Sequence, residues 1–311
     1  MSANEPRDHH VVPQFYLRNF AIDPERQRVA TLAKEGDMAV WMERSIKTIG
    51  YERDFYVHFE NGRPVSVETD IGRRLETPIS GSDTWKKIAS GRADALDRSD
   101  RSILYALVRH LEARTPHYLA TSDELMRMAN DPNSEIAFSD KEREMYRAML
   151  DEPEALRAML NRMATSRFDA RAYDGAMITV ARSAKPLRTS TTPVRAMKAP
   201  AHPKMAELPP GGIPFQRVLT LNRRTLVCVI DGDFDGAFQN LEIDEDHAVG
   251  VNRATTGHFV HFPMVRHMLT TRDRLVEDMD WANYNLMSEG PSKIVFKRRP
   301  PRGGDRGPIG A

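Results

Sequence analysis

One cysteine, Cys228, stands in 311 residues. A lone thiol forms no internal disulfide, so nothing in the chain calls for an oxidising compartment. No stretch approaches the ~18 consecutive apolar residues that a spanning helix needs. Met1 to His10 is polar and charged, without the apolar centre of a secretory signal. The expected location is therefore the cytoplasm, with no membrane partner. Charge of one sign is also scarce: the formal net charge is +1, which removes any global field directed at nucleic acid or lipid. Equally absent are a glycine-rich phosphate loop, a Gly-x-Ser-x-Gly elbow, a Cys-x-x-Cys pair and a His-Glu-x-x-His helix. No RNA-recognition, KH or zinc-finger signature occurs.

What is present is the composition of a folded protein, with 40% apolar and 29% charged residues. The pattern predicts an α+β fold, a single unit over 8–296 that is β-rich over 8–69, helical over 70–168 and β-rich again over 172–296. In the first part Arg28 to Ala33 and Met38 to Met42 flank a turn at Lys34-Glu35-Gly36-Asp37. Phe55 to Phe59 and Pro64 to Glu68 flank Asn61-Gly62, a pair that tolerates positive φ at both turn positions. In the middle, Ile103, Leu104, Leu107, Val108 and Leu111 recur at helical spacing, with Asp97 or Ser99 as cap and Pro116 as stop. Thr121 with Glu124, and Ser139 with Glu142, have capping-box spacing. The methionine stripes Met145–Met149 and Met159–Met163 read as core. In the last part Met177 to Val180, Phe215 to Leu221, Thr225 to Ile230 and Ser292 to Lys297 read as strands, and Asn252 to Phe262 as a helix. Between them lies a surface loop from Lys198 with Pro200, Pro203, Pro209, Pro210 and Pro214. Residues 299–311 read as a disordered basic tail. Neither β part is large enough for its own core, so the two are expected to share a sheet.

The near-zero charge hides local blocks. Arg182 to Lys204 carries six basic residues and no acid. Either it is a solvated face, or Arg182, Lys185, Arg188, Arg195 and Lys198 contact nucleic acid or another anionic partner. Asp231, Asp233 and Asp235, with Gly236 and then Glu242, match the calcium-loop template of alternating acids, a turn glycine and a final bidentate glutamate. The preceding Leu226 to Ile230 reads as a strand rather than an entering helix, so an acidic turn competes with a metal site. Cys228, inside that strand, behaves as a small hydrophobe.

Asp8-His9-His10-Val11-Val12-Pro13 is similar to the opening of HNH-type nuclease motifs, where a His is the base at a metal-bound phosphodiester. The next histidine is His58, so that pattern is incomplete. A longer run, His10-Val-Val-Pro-Gln-Phe-Tyr-Leu-Arg-Asn-Phe20, resembles the opening of the bacterial domain-of-unknown-function family 4238 (DUF4238). Glu52 to Tyr56, Leu75-Glu76 with Arg114-Thr115-Pro116, Thr189 to Val194, and Val251-Asn252 resemble its later segments, in order. Thr191-Thr192 stands where that family shows Asp-Asn. The resemblance brings kinship rather than an established activity.

Within the first segment His10, Gln14, Arg18 and Asn19 are polar groups among Val, Pro, Phe, Tyr and Leu. If Pro13 starts a helix, they share one face and need partners or a ligand. Two functions follow. One is a metal-assisted hydrolase of phosphodiesters, using a divalent ion, His9 or His10 as base or ligand, and Arg18 or Arg114 against the phosphate charge. The alternative is a non-catalytic nucleic-acid-binding or protein-interaction module built on the basic loop and tail.

Overall fold

A computed structural model of the chain describes residues 8–134, 138–151, 170–198 and 215–300. The expected tail beyond Pro300, most of the proline-rich loop and the stripe Met159–Met163 lie outside these residues.

Fifteen strands are described: β1 Asp8–His10, β2 Arg28–Glu35, β3 Met38–Ser45, β4 Tyr51–Arg53, β5 Val57–Glu60, β6 Arg63–Ser66, β7 Met177–Ser183, β8 Thr189–Ser190, β9 Val194–Lys198, β10 Phe215–Asn222, β11 Thr225–Ile230, β12 Phe238–Ile243, β13 His267–Leu269, β14 Tyr284–Glu289 and β15 Lys293–Arg298. The helices are α1 Gln14–Leu17, α2 Glu68–Ile71, α3 Thr77–Gly81, α4 Asp83–Ala89, α5 Arg101–Ala113, α6 Pro116–Asn130, α7 Asp140–Asp151, α8 Ala170–Gly175, α9 Glu245–His261 and α10 Leu275–Trp281. The α+β class is as the sequence pattern predicts.

The two β parts do share a sheet. A six-stranded sheet runs β14-β15-β3-β2-β13-β8, so the N-terminal hairpin sits between strands from the C-terminal part. A five-stranded sheet runs β12-β7-β11-β10-β9, antiparallel except for β12 beside β7. Two ribbons, β1–β4 and β5–β6, complete the pairing. The Asn61-Gly62 turn forms as expected, with φ of 50° and 75°. The first hairpin closes more tightly than the sequence suggests, since Glu35 pairs with Met38 and only Gly36-Asp37 remain in the turn.

Pro116 does not stop the helical run. It opens α6, with the Thr115 hydroxyl accepting the Tyr118 N–H, because proline suits a first turn whose N–H has no partner. Thr121 therefore lies inside α6 rather than at a cap. Asp97 caps as expected, in a capping box with Asp100. The predicted helix at Asn252 begins seven residues earlier, where the Asp244 carboxylate accepts the His247 N–H.

The main core packs α5 (Leu104, Leu107, Val108, Leu111) and the N-terminal segment (Val12, Tyr16, Leu17, Phe20) on one face of the five-stranded sheet. The far half of α9 (Phe259, Val260) and Met279 of α10 cover the six-stranded sheet. The near half of α9 (Ala248, Val251) lies on the other face of the five-stranded sheet. One helix thus bridges both sheets. The segment Thr189 to Val194 bridges them too, leaving the larger sheet as β8 and entering the smaller as β9. No helix among the described residues is long and apolar enough to cross a membrane.

Candidate functional site

Arg114, at the C-terminus of α5, has no exposed surface. Its Nε donates to the Tyr56 hydroxyl at 2.7 Å and its Nη1 to His110 Nε2 at 2.8 Å. The guanidinium also bonds the Glu76 carboxylate and the His10 carbonyl, and lies over the Tyr56 ring at 5.4 Å. A buried cation needs such saturation, since each unmet donor in a low-dielectric interior is costly.

Glu76 reaches Arg114 through an irregularity in the backbone. The run from Glu68 to Gly81 is helical, but Gly72–Glu76 forms a π turn. In an uninterrupted α-helix residues eight apart are rotated about 80° from each other, as the 3.6-residue repeat requires. The extra residue of a π turn brings Glu68 and Glu76 back to one side. Both carboxyls consequently act on Arg114. Burial pushes the Glu68 carboxyl up to about 7, with Arg114 opposing and Glu76 reinforcing the shift. His110 is held neutral, well below its ordinary range, by burial and by Arg114. Burial also raises the Tyr56 hydroxyl.

The two N-terminal histidines divide. His9 is buried, stacks on Tyr56 with ring centres 5.6 Å apart, and accepts the Tyr56 N–H on Nδ1 at 2.9 Å. It supports the ribbon. His10 is half-buried, and its Nε2 receives the Gln14 amide at 2.9 Å. That bond places the ring proton on Nδ1. Burial first, then Arg114, lower its pKa. Three polar atoms of this cluster have no protein partner: His10 Nδ1, Glu68 Oε2 and His110 Nδ1.

Of the four polar residues of the first segment, His10 and Gln14 are joined and Arg18 follows Gln14 by one turn. The Arg18 guanidinium makes no hydrogen bond among the described residues, while its carbonyl accepts from Arg26. Asn19 turns away, bonding Leu221 O and Arg26. Pro13 caps α1, so His10 precedes the helix rather than sharing its face. Arg114 is a correction to the expected phosphate contact. Its donors are consumed within the protein, and it positions its neighbours.

The calcium-loop residues are not gathered. β12 begins at Phe238, so the second half of the loop is extended and carries Glu242 away from the aspartates. Glu242 pairs with Arg182 at 2.7 Å, and Asp231 with Arg217 at 2.5 Å. Asp233 and Asp235 lie in the loop ahead of β12. Among the described residues no group of three or more His, Cys, Asp or Glu is placed to hold a metal ion. The basic stretch is also dispersed. Arg188 is buried against Asp278, Thr256 and Thr270, and Arg195 is buried with Nη1 on Val251 O. Arg182 and Lys185 sit in ion pairs, Lys198 ends β9, and Lys204 lies outside the described residues.

The five sequence segments meet. His10, Tyr56, Glu76 and Arg114 share one network. The Tyr16 hydroxyl bonds Thr189 Oγ1 at 2.8 Å and Thr220 O at 2.6 Å. Next to Thr189, the Arg188 N–H donates to Asn252 Oδ1 at 2.9 Å. Beside the β1–β4 ribbon a pocket of about 210 Å³ is lined by Val11, Tyr51, Arg53, Pro116, Thr191 and Arg266, drawing on four of the segments. Sequence reasoning missed Glu68, His110 and the role of Glu76. His110 was within reach, as a polar partner of Arg114 at i,i+4 on an otherwise apolar helix face. Glu68 carried no such signal, because the π turn breaks the periodicity that would pair it with Glu76.

A family model described as a protein of unknown function, DUF4238, matches residues 8–255. No curated protein and no solved structure matches.

Proposed function

The chain belongs to the DUF4238 family, and from that premise we propose that it is a hydrolase of phosphodiesters whose proton-transfer group is Glu68, with His10 as a hydrogen-bond donor to the phosphate. The observation that carries this reading is the Glu68 carboxyl, raised to about 7 and with Oε2 unpartnered, beside a neutral histidine whose Nδ1 is also unpartnered. A group that titrates near the working pH gives and takes protons most effectively. Orphaned polar atoms in a half-buried site leave hydrogen-bonding capacity for a substrate.

The roles divide by access. Glu68, as its carboxylate, takes a proton from the attacking water and returns it to the leaving oxygen, while His10, fixed by Gln14 at Nε2, donates its Nδ1–H to a phosphoryl oxygen. Arg18, one turn beyond Gln14, meets the phosphate charge. Arg114 and Glu76 hold the carboxyl and the ribbon in place. The binding-module alternative has less support, since Arg188 and Arg195 are buried rather than displayed as a continuous basic face.

The test is hydrolysis of bis(p-nitrophenyl) phosphate and of labelled DNA and RNA, with and without Mg²⁺ or Mn²⁺. Glu68→Gln is expected to lower kcat by about 10²- to 10⁴-fold, the usual contribution of a general acid–base group, and His10→Ala by about 10²- to 10³-fold, that of one donor to a developing oxyanion. Wild-type protein inert on all three substrates, or full activity in Glu68→Gln, refutes the assignment.

A further inference from the structure

Away from this site, the outer face of the five-stranded sheet is only half covered. The near part of α9 packs over Ala181, Leu187, Val218 and Leu226. Beyond its flank a groove of about 810 Å³ remains, floored by Met177, Met197, Cys228 and Ile230. Its size and apolar floor are those of a small-molecule site. Arg195 adjoins it. The residue is directly opposite Val218 on β10 and two residues from Met197 on β9, so it projects from the same face of the sheet. It is 7% exposed, and its Nη1 donates to the carbonyl of Val251, which lines the groove.

What sets Arg195 apart is its counter-charge. Arg188, equally buried, has Asp278, and Arg114 has Glu76. No carboxylate among the described residues lies within ion-pair distance of Arg195. Burial pulls its pKa down to about 10, with only Cys228 and Tyr16 opposing the shift. Buried arginines are rarely left unpaired, because the desolvation cost is then uncompensated. Three acids stand on the groove's rim, Asp246 in the first turn of α9 and two with partners of their own. Asp244 caps α9 and Glu242 holds Arg182. They also repel an anion from that rim, which leaves Arg195 as its anchor.

We propose that the groove binds an amphipathic monoanion, a medium- to long-chain carboxylate, with its head group on Arg195 and its alkyl chain along Cys228, Ile230 and Met177. Charge complementarity fixes the head, and the apolar floor takes the chain. Affinity is expected to rise about fourfold per added methylene until the groove is filled, the factor that corresponds to removing one CH₂ from water. This site is independent of the hydrolase reading.

Cys228, the one thiol in the chain, serves as reporter. The experiment titrates the full chain with cis-parinaric acid and displaces it with dodecanoate or dodecanol. It then follows alkylation of Cys228 by N-ethylmaleimide with and without dodecanoate. Saturable binding, preference for the carboxylate over the alcohol and slower alkylation are expected. Arg195→Met should weaken dodecanoate at least tenfold and leave dodecanol unchanged, while Arg195→Lys retains most of the preference. Circular dichroism checks that both variants fold. Equal binding of acid and alcohol, or no saturable signal, overturns the proposal.

Discussion

Consider Arg114→Met, which keeps most of the aliphatic bulk and deletes the charge. The Tyr56 hydroxyl, the His10 carbonyl and His110 Nε2 each lose a donor in a buried setting. Each such loss costs about 1–3 kcal/mol when nothing replaces the bond. Glu76 is less affected, since its side chain keeps 27% of its exposure and turns to water. Relaxation of the ribbon recovers part of the total. The expected destabilisation is therefore about 3–5 kcal/mol, the range for breaking a buried charge pair. Urea unfolding measures it as a lower midpoint with an unchanged m-value. The double variant with Glu76→Gln should cost less than the two single changes added together, because the second removes a group that the first had stranded. A loss under about 1 kcal/mol, or strict additivity of positions 114 and 76, would refute the claim that Arg114 is the hub of the site.

Other outcomes follow from the same geometry. Glu68 binds its proton more tightly when folded, at about 7 against an ordinary 4.5. Its stabilising contribution is thus complete below pH 4.5 and is lost as pH rises through 7, so the difference between wild-type and Glu68→Gln stability should slope across that window. His110 tilts the opposite way and cancels in that difference; a flat difference curve removes the perturbed carboxyl. Tyr16→Phe strips a buried hydroxyl from Thr189 and Thr220 and should cost about 1–2 kcal/mol in thermal or urea melts. Arg195→Met should leave the ligand-free protein as stable as wild type or more so, whereas Arg188→Met strands Asp278 and should cost about 3–5 kcal/mol. Equal losses at the two arginines would mean that Arg195 has a structural partner after all.

Where local chemistry decides structure, the sequence could be read. Asn61-Gly62, the strand Thr225 to Ile230 and the Asp97 cap each follow from a few adjacent residues. Pro116 was misjudged because a proline ends one helix and begins the next by the same property, its missing N–H, and only the Thr115 cap distinguishes the cases. The site was half legible. His10, Gln14 and Arg114 stood out as polar residues in apolar company, yet their partners come from tertiary contacts that no spacing reports. Glu68 is the clearest instance. The basic stretch misled in the other direction: Arg188 and Arg195 look like a surface run in the sequence but point inward from strand and corner, where net charge along the chain says nothing about burial.

The six-stranded sheet has a consequence for how the protein is made. The hairpin β2–β3 emerges early from the ribosome, but its two flanks are completed by β13 and β15, which are synthesised last. Until then both hairpin edges stay open, and open edges invite pairing with the wrong strand. The family match ends at residue 255, before either of those strands. A segment cut at that boundary would carry every residue of the Arg114 cluster but leave both edges of the β2–β3 hairpin unpaired, so sequence similarity outlines less than the six-stranded sheet needs to form.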